Sequence, residues 1–261
     1  EKGLSAGLFY FPDYGKYEEY SEANYDTNIS DFQLVSYILG RCATVDEVKA
    51  EIARVHIHGF DPRSSTVHWR FAEPSGRQIV LEIIDGKCVF YENTLGVLTN
   101  SPSFDWQLTN LNNYVNLLPG RTEPHTIGNM SLSSFGGGSA MIGLPGDFTP
   151  PSRFVRAAFF QSTAPQKPDA EGSVFTAFHI LGSMEIPIGA QFPVDGTPAD
   201  IPSATQCTCV TDMSGLRFYY RSMYDGGIRC IDLKEIDFKK IGLKSEPLVP
   251  SKKEFVHHIR F

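Results

Sequence analysis

Several features that would mark a particular class of protein are missing from this sequence. It has no run of about 18 apolar residues, so no membrane-spanning helix is expected. It has no long basic run and its net charge is −7, which argues against a protein built to bind nucleic acid. Its five cysteines are an odd number and give no clean disulfide framework. The chain starts with Glu1 without a recognisable leader, so the cellular compartment stays open.

Common catalytic signatures are also missing. No G-x-S-x-G motif is present, which argues against an α/β-hydrolase. The glycines from Gly138 to Gly143 resemble half a phosphate-binding loop, but Leu144 and Pro145 stand where Lys and Ser or Thr are required. His56 and His58 have no third ligand nearby in sequence, so a surface role is expected for them rather than a metal site. No cofactor or metal is therefore predicted.

The residues that are abundant indicate a folded domain rich in strands. Apolar residues make up 41% of the chain, and 19 Phe, 11 Tyr, 23 Gly and 17 Pro suit many short strands joined by turns. Apolar periodicity predicts helices within residues 30–55 and 152–181, and strands within 66–91 and 206–232. Because helices lie between two groups of strands, we predict one α+β domain over residues 1–261.

Two Asp-Gly pairs predict the turns of hairpins, since both positions of such a turn favour positive φ. They are Asp85-Gly86 and Asp225-Gly226. Ser152 is a candidate cap for the helix that follows it.

One candidate site residue is Asn100, which ends a short apolar run just before Pro102. A side-chain amide at the end of a strand can direct its N–H groups into a cleft, where they would stabilise a developing oxyanion. The alternative is an ordinary Asx turn at the end of a strand.

A second candidate is Arg153, which falls in the first turn of an otherwise apolar helix. A cation at a helix N-terminus opposes the helix dipole, so a carboxylate or a substrate is expected to compensate for it. The alternative is an exposed arginine that pairs with Asp147 or Asp105.

Longer segments around these two residues resemble a known family. The run YENTLGVLTNSPSFDWQLTNLNNY (91–114), followed by GLPGDFTPPSRFVRAAFF (143–160), is similar to the choloylglycine hydrolase family, which includes bile salt hydrolases and penicillin V acylases. EKGLSAGLFYFPDY (1–14) and VHWRFAEPSGRQIVLEI (67–83) extend the resemblance over essentially the whole chain. The resemblance implies the four-layer αββα sandwich of N-terminal-nucleophile hydrolases, a homotetramer, and a small amide substrate with a hydrophobic acyl group.

The resemblance also implies a mechanism and a role for three residues. In the family, an N-terminal cysteine attacks an amide carbonyl and its own α-amine serves as the base. Asn100 matches the oxyanion-hole asparagine, and Arg153 matches the arginine beside the nucleophile. Tyr10 falls in the second oxyanion-hole position, where bile salt hydrolases tend to carry Asn and penicillin V acylases tend to carry Tyr. This residue favours an acylase.

The sequence departs from the family pattern at its start, which lies about where the family's first strands have ended. The nucleophilic cysteine is therefore expected to be absent, and the sandwich to lack its first strands. None of the five cysteines can replace it, because each is internal and has no free α-amine. The chain alone is expected to be inactive.

Two other functions remain open at this stage. The chain could be a non-catalytic fragment or degenerate homologue that binds an acyl ligand or assembles with other copies. Residues 117–146 support this idea, because they resemble the family's tetramer-assembly segment. The third function is hydrolysis of acyl lactones, which some relatives of penicillin V acylase perform.

Overall fold

The computed structural model describes residues 2–61, 64–191, 204–249, 252–253, 255–256 and 258–259. Its backbone contacts form two compact units. The larger is Ala6–Ala164, and the smaller joins Glu1–Ser5 to Pro165–Phe261. The prediction of one domain over the whole chain stays a prediction.

The larger unit holds most of the secondary structure. Its elements in chain order are β1 (Ser5–Tyr10), β2 (Asn28–Ser30), α1 (Leu34–Leu39), α2 (Val45–Ile52), β3 (His56–His58), β4 (Val67–Ala72), β5 (Gln78–Ile84), β6 (Lys87–Glu92), α3 (Phe104–Asn110), β7 (His125–Ile127), β8 (Met130–Leu132) and α4 (Pro150–Thr163).

A four-stranded sheet in the order β1-β4-β5-β6 forms the centre of this unit. The pairs β4–β5 and β5–β6 are antiparallel. The turn between β5 and β6 is the predicted Asp85-Gly86 pair, with φ values of 49° and 72°. Both values lie in the left-handed region, which Gly enters without steric cost and Asp tolerates. β2 and β3 form a small parallel sheet, and β7 and β8 an antiparallel hairpin.

One apolar cluster joins the sheet to α3 and α4. Its buried members are Val80, Val97, Phe104, Phe154 and Ala158. The rings of Phe104 and Phe154 meet edge to face, with centroids 6.1 Å apart, a geometry that aromatic pairs prefer. Because Val97 belongs to the segment that leads to Asn100, this cluster packs that segment against β5 and α4.

The helices agree with the predicted periodicity, except at two places. α4 begins at Pro150 rather than at Ser152, because proline fits the first turn of a helix, where its missing N–H leaves no bond unmade. Ser152 is therefore not the N-cap. α3 was not among the predicted helices, since its seven residues are too short for a clear helical period.

The smaller unit contains α5 (Ala170–Gly182), β9 (Cys207–Asp212), β10 (Arg217–Ser222) and β11 (Asp225–Asp232). Its strands form an antiparallel sheet in the order β11-β10-β9. Val174 and Phe178 of α5 pack against Tyr219 of β10. These elements match the predicted helix and strand group in this part of the chain.

The predicted turn at Asp225-Gly226 is wrong. Asp225 pairs with Ser222 inside the hairpin, so the turn lies at residues 223–224. The Asp225 carboxylate accepts a hydrogen bond from Gly227 N at 2.8 Å and forms an ion pair with Arg229. These local bonds hold the Asp-Gly pair within β11.

No helix among the residues described is both long and apolar enough to cross a membrane.

Candidate active site

All three candidate site residues meet in the larger unit. The Oδ1 atom of Asn100 accepts a hydrogen bond from Arg153 Nη2 at 2.7 Å, and its Nδ2 atom donates to the Tyr10 carbonyl oxygen at 2.7 Å. A guanidinium can only donate, so it fixes which end of the Asn100 amide carries the oxygen. Because an amide nitrogen has two hydrogens, Asn100 keeps one further N–H that can donate.

Tyr10 contributes its backbone at the edge of β1. The next residue, Phe11, donates its N–H to Thr66 O at 2.8 Å, on the side of β4. Successive residues of a strand direct their backbone groups to opposite edges. The N–H and C=O groups of Tyr10 therefore face the other edge, where Asn100 is bound. The side chain of Tyr10 is 57% exposed, so it is not the core residue that its apolar strand would suggest.

Arg153 is held in place by the loop before α4. Its Nε atom donates to Phe148 O at 2.9 Å, and Nη2 donates to Asn100. Within the described part of the chain, its Nη1 atom makes no hydrogen bond. Burial lowers the pKa of the Arg153 guanidinium, and the nearby Arg156 cation lowers it further. The alternative pairing of Arg153 with Asp147 or Asp105 is not observed.

Asp147 instead organises the start of α4. Its carboxylate accepts hydrogen bonds from Thr149 Oγ1 at 2.5 Å, Thr149 N at 2.9 Å and Ser152 Oγ at 2.7 Å. Arg156 Nη1 donates to the Pro145 and Asp147 carbonyl oxygens at 2.8 and 2.5 Å. The hydrogen bond from the Thr149 side chain is the largest cause that lowers the pKa of Asp147 to about 2. A carboxylate thus balances the helix N-terminus.

Three more hydrogen bonds hold the backbone around Asn100. Thr99 Oγ1 donates to Pro150 O at 3.0 Å, and Gln107 Nε2 donates to Asn100 O at 3.3 Å. Ser101 Oγ donates to Pro12 O at 2.6 Å. Asn100 is therefore tied to α3, to α4 and to the chain after β1.

Sequence reasoning missed the groups that hold this site. Gln107 is only 1% exposed, but the mixed sequence FDWQLTN around it gives no signal that this side chain is buried. Burying a polar group is costly unless it is hydrogen-bonded, so such residues have identifiable partners in a folded protein.

The histidines and cysteines set aside above do not assemble with each other. His56 of β3 bonds to Glu18 at 2.8 Å, and the His58 ring meets the ring of Tyr20 edge to face. All five cysteines are free thiols, and the sulfurs of Cys207 and Cys209 lie 3.5 Å apart. Among the residues for which the structure gives positions, no three His, Cys, Asp or Glu side chains are grouped to hold a metal ion.

Comparison with known proteins decides the family. The family model described as linear amide C–N hydrolases, choloylglycine hydrolase family, matches residues 1–246. The chain belongs to the choloylglycine hydrolase family. The resemblance of its quoted segments to this family is therefore confirmed.

Curated relatives of this choloylglycine hydrolase family chain include bile salt hydrolases and a penicillin V acylase. A bile salt hydrolase/transferase from Clostridium perfringens is 33% identical over 240 residues, which are 90% of this chain and 71% of that protein. A bile salt hydrolase/transferase from Lactiplantibacillus plantarum is 34% identical over 252 residues, or 95% and 76% of the two chains. A penicillin V acylase from Pectobacterium atrosepticum is 28% identical over 264 residues, or 93% and 62%.

Solved structures agree with the family's fold. Conjugated bile acid hydrolase from Clostridium perfringens superimposes with a TM-score of 0.83 at 30% identity, over 99% of this chain and 78% of that one. Penicillin V acylase from Agrobacterium tumefaciens gives a TM-score of 0.68 at 24% identity, over 91% and 65%, and supports the fold alone. The predicted α+β fold of the choloylglycine hydrolases is confirmed.

The hydrogen bonds to Asp147 predict how stability depends on pH. Because its pKa falls from 3.8 to about 2 on folding, the ionised carboxylate stabilises the folded state above pH 3.8, and this contribution is lost as the pH falls through about 2. Asp147→Asn should therefore be less stable than the wild type at pH 7, with a difference in unfolding free energy that shrinks toward pH 2. Denaturant titrations at several pH values measure it. A difference that stays constant with pH would contradict the role given to this carboxylate.

Proposed function

We propose that this choloylglycine hydrolase family chain supplies the oxyanion-binding side of an active site that hydrolyses a linear amide. The substrate is a small molecule with a hydrophobic acyl group. The observation that carries the proposal is the 2.7 Å hydrogen bond from Arg153 to the amide oxygen of Asn100.

The chemistry follows from the orientation of that amide. Attack on an amide carbonyl places negative charge on its oxygen, and donors already aimed at that oxygen lower the barrier. The free N–H of Asn100 Nδ2 and the backbone N–H of Tyr10 lie at the same edge of β1. Arg153 keeps the Asn100 amide from turning its oxygen toward the substrate, where it would repel the charge.

The nucleophile proposed for the family's reaction is an N-terminal cysteine with its own α-amine as base. The five cysteines of this chain are poor candidates for that role, since all are internal. Burial raises the pKa of the thiols of Cys42 and Cys88, and burial together with the neighbouring Cys209 thiol raises the pKa of Cys207 to about 12. A thiol must lose its proton to attack. We therefore propose that a protein made only of these 261 residues does not hydrolyse amides.

Two substrate classes are supported by different observations. The exposed phenol of Tyr10 stands in the position where the resemblance places tyrosine in penicillin V acylases, which favours penicillin V. Sequence identity favours conjugated bile salts, because the two quoted bile salt hydrolases are 33% and 34% identical and the quoted penicillin V acylase 28%. We place penicillin V first, since Tyr10 belongs to the site itself. Acyl lactones are a third class.

The first test removes the proposed oxyanion donor from the protein as its gene encodes it. Asn100→Ala should lower kcat about 10²- to 10³-fold with little change in KM, because the donor acts on charge that develops only in the transition state. Hydrolysis of penicillin V and of taurocholate is measured as the release of the amine product.

A matched control is Asn112→Ala, which removes an exposed asparagine whose side chain, among the residues that the structure describes, bonds only within its own turn, to Thr109 O. This control should keep wild-type kinetics. If Asn100→Ala raised KM and left kcat unchanged, Asn100 would be a binding group rather than the oxyanion donor.

A second candidate function is ligand binding without hydrolysis, which Asn100 and Arg153 would serve by holding a carbonyl group. The 261-residue chain is incubated with penicillin V or taurocholate, and binding and product are measured separately. We expect no product. Turnover by this chain would show that the nucleophile lies among its residues, against the proposal.

We also propose that residues 117–146, called the assembly loop, contact another copy of the chain. This loop exposes several large apolar side chains, as expected of a surface that is covered in an oligomer. They are Leu118, Ile127, Met130, Phe135 and Ile142.

Replacing the most exposed of these side chains tests the assembly loop. Phe135→Asp should shift the protein toward smaller species in sedimentation velocity, since a buried unpaired charge disfavours an interface. Phe175→Asp, at an exposed phenylalanine of α5, is the control and should leave the oligomer intact. A wild-type protein that is monomeric at all concentrations would contradict the assembly role.

A further inference from the structure

We propose that a buried pair, His68 and Glu82, is a positioning unit that sets the place of Asn100. Its significance for catalysis rests on the function proposed above, but its effect on the position of Asn100 does not. Both side chains are 0% exposed. They stand on the neighbouring central strands β4 and β5, and His68 Nδ1 lies 3.0 Å from Glu82 Oε1.

The histidine holds the residue just before Asn100. His68 Nε2 lies 3.1 Å from the carbonyl oxygen of Thr99. That oxygen can only accept, so Nε2 carries a proton and donates it. One further proton is then shared between Nδ1 and Glu82 Oε1, which makes the pair a single hydrogen-bonded unit.

The glutamate holds the other end of the same segment. Glu82 Oε1 accepts a hydrogen bond from the backbone N–H of Phe104, at 2.9 Å. Phe104 is the first residue of α3, where backbone N–H groups have no partner in the helix. The pair therefore forms hydrogen bonds with the backbone at Thr99 and at Phe104, and Asn100 lies between these two residues.

The same histidine also contacts the segment that carries the second donor. The rings of His68 and Phe11 stack with centroids 4.4 Å apart and planes 9° apart. Phe11 follows Tyr10 directly and is fully buried. One side chain thus touches the chain next to Asn100 and the chain next to Tyr10, the two proposed oxyanion donors.

Packing alone gives no reason for an ionisable pair at this depth. Burying such groups costs free energy, and apolar residues of similar volume often stabilise a core as well or better. Glu82 Oε2 is buried without a hydrogen-bond partner among the described residues, so the pair is not optimised for stability. Hydrogen bonds are directional and apolar contacts are not, which suits a unit that must fix a position.

The test compares two neighbouring residues on opposite faces of β4. His68→Phe keeps a ring to stack on Phe11 but removes both ring nitrogens. Trp69→Phe, also at a side chain that is 0% exposed, introduces the same residue on the other face and serves as the control. Amide hydrogen exchange is measured by NMR for residues 99–107 and for α2. The values of kcat and KM are measured for the same variants of the gene-encoded protein.

We expect His68→Phe to speed exchange in residues 99–107 roughly tenfold more than in α2, because the loss of these hydrogen bonds is local. Trp69→Phe should speed both regions alike. In the gene-encoded protein, His68→Phe should lower kcat on the order of 10²-fold, as expected when a catalytic group is displaced, with far less change in KM. Uniform exchange in His68→Phe would overturn the proposal.

A milder variant covers the case in which His68→Phe does not fold. Glu82→Gln keeps an oxygen at the position of Oε1, so the hydrogen bond from Phe104 N–H is retained, while the bond shared with His68 Nδ1, which meets the same atom, is weakened. Residues 99–107 should therefore keep most of their protection. Glu82→Leu removes both bonds and should lose protection there. Equal protection in these two variants would refute the positioning role.

The readouts separate this proposal from the proposed function. If Asn100→Ala kept full kcat, the hydrolase assignment would fail, whereas local loss of protection in His68→Phe would still support the positioning unit. If exchange were uniform while Asn100→Ala abolished turnover, only the positioning unit would fail.

Discussion

The hydrogen bond from the Arg153 guanidinium to the Asn100 amide oxygen is the interaction on which the proposed site depends. An asparagine amide can rotate by half a turn at little cost, which exchanges a donor for an acceptor. A donor-only partner at 2.7 Å removes that freedom and leaves the nitrogen facing the edge of β1. The site is therefore defined by the orientation of one amide, and the surrounding structure serves to keep Arg153 and Asn100 opposite each other.

The rest of the larger unit can be understood as support for this contact. Asp147 and its hydroxyl partners fix the start of α4, which carries Arg153. The apolar cluster around Phe104 and Phe154 joins α3 and α4 to the sheet. The pair of His68 and Glu82 bonds the segment from Thr99 to Phe104, which contains Asn100, to the central strands β4 and β5. Each of these groups restricts the motion of Asn100 or Arg153, as a site that stabilises developing charge requires.

Local signals in the sequence were the most reliable guide to this fold. The Asp85-Gly86 turn was predictable because its positive φ values restrict the residue types that fit. Asp225-Gly226 has the same residue types, yet it lies inside β11, since bonds to Gly227 and Arg229 stabilise a different register. The role of His68 and Glu82 was out of reach, because their contact joins residues 14 apart on neighbouring strands. Asn100 and Arg153 were each candidates from their local patterns, but only the family resemblance linked these positions, which are 53 residues apart.

A double-mutant cycle on Asn100 and Arg153 tests the central claim most directly. The unfolding free energies of Asn100→Ala, Arg153→Met and the double variant are compared with that of the wild type. A hydrogen bond to a charged group predicts a coupling free energy of about 1.5–3 kcal/mol. Additive effects, within about 0.5 kcal/mol, would show that the two side chains do not hold each other and would contradict the account.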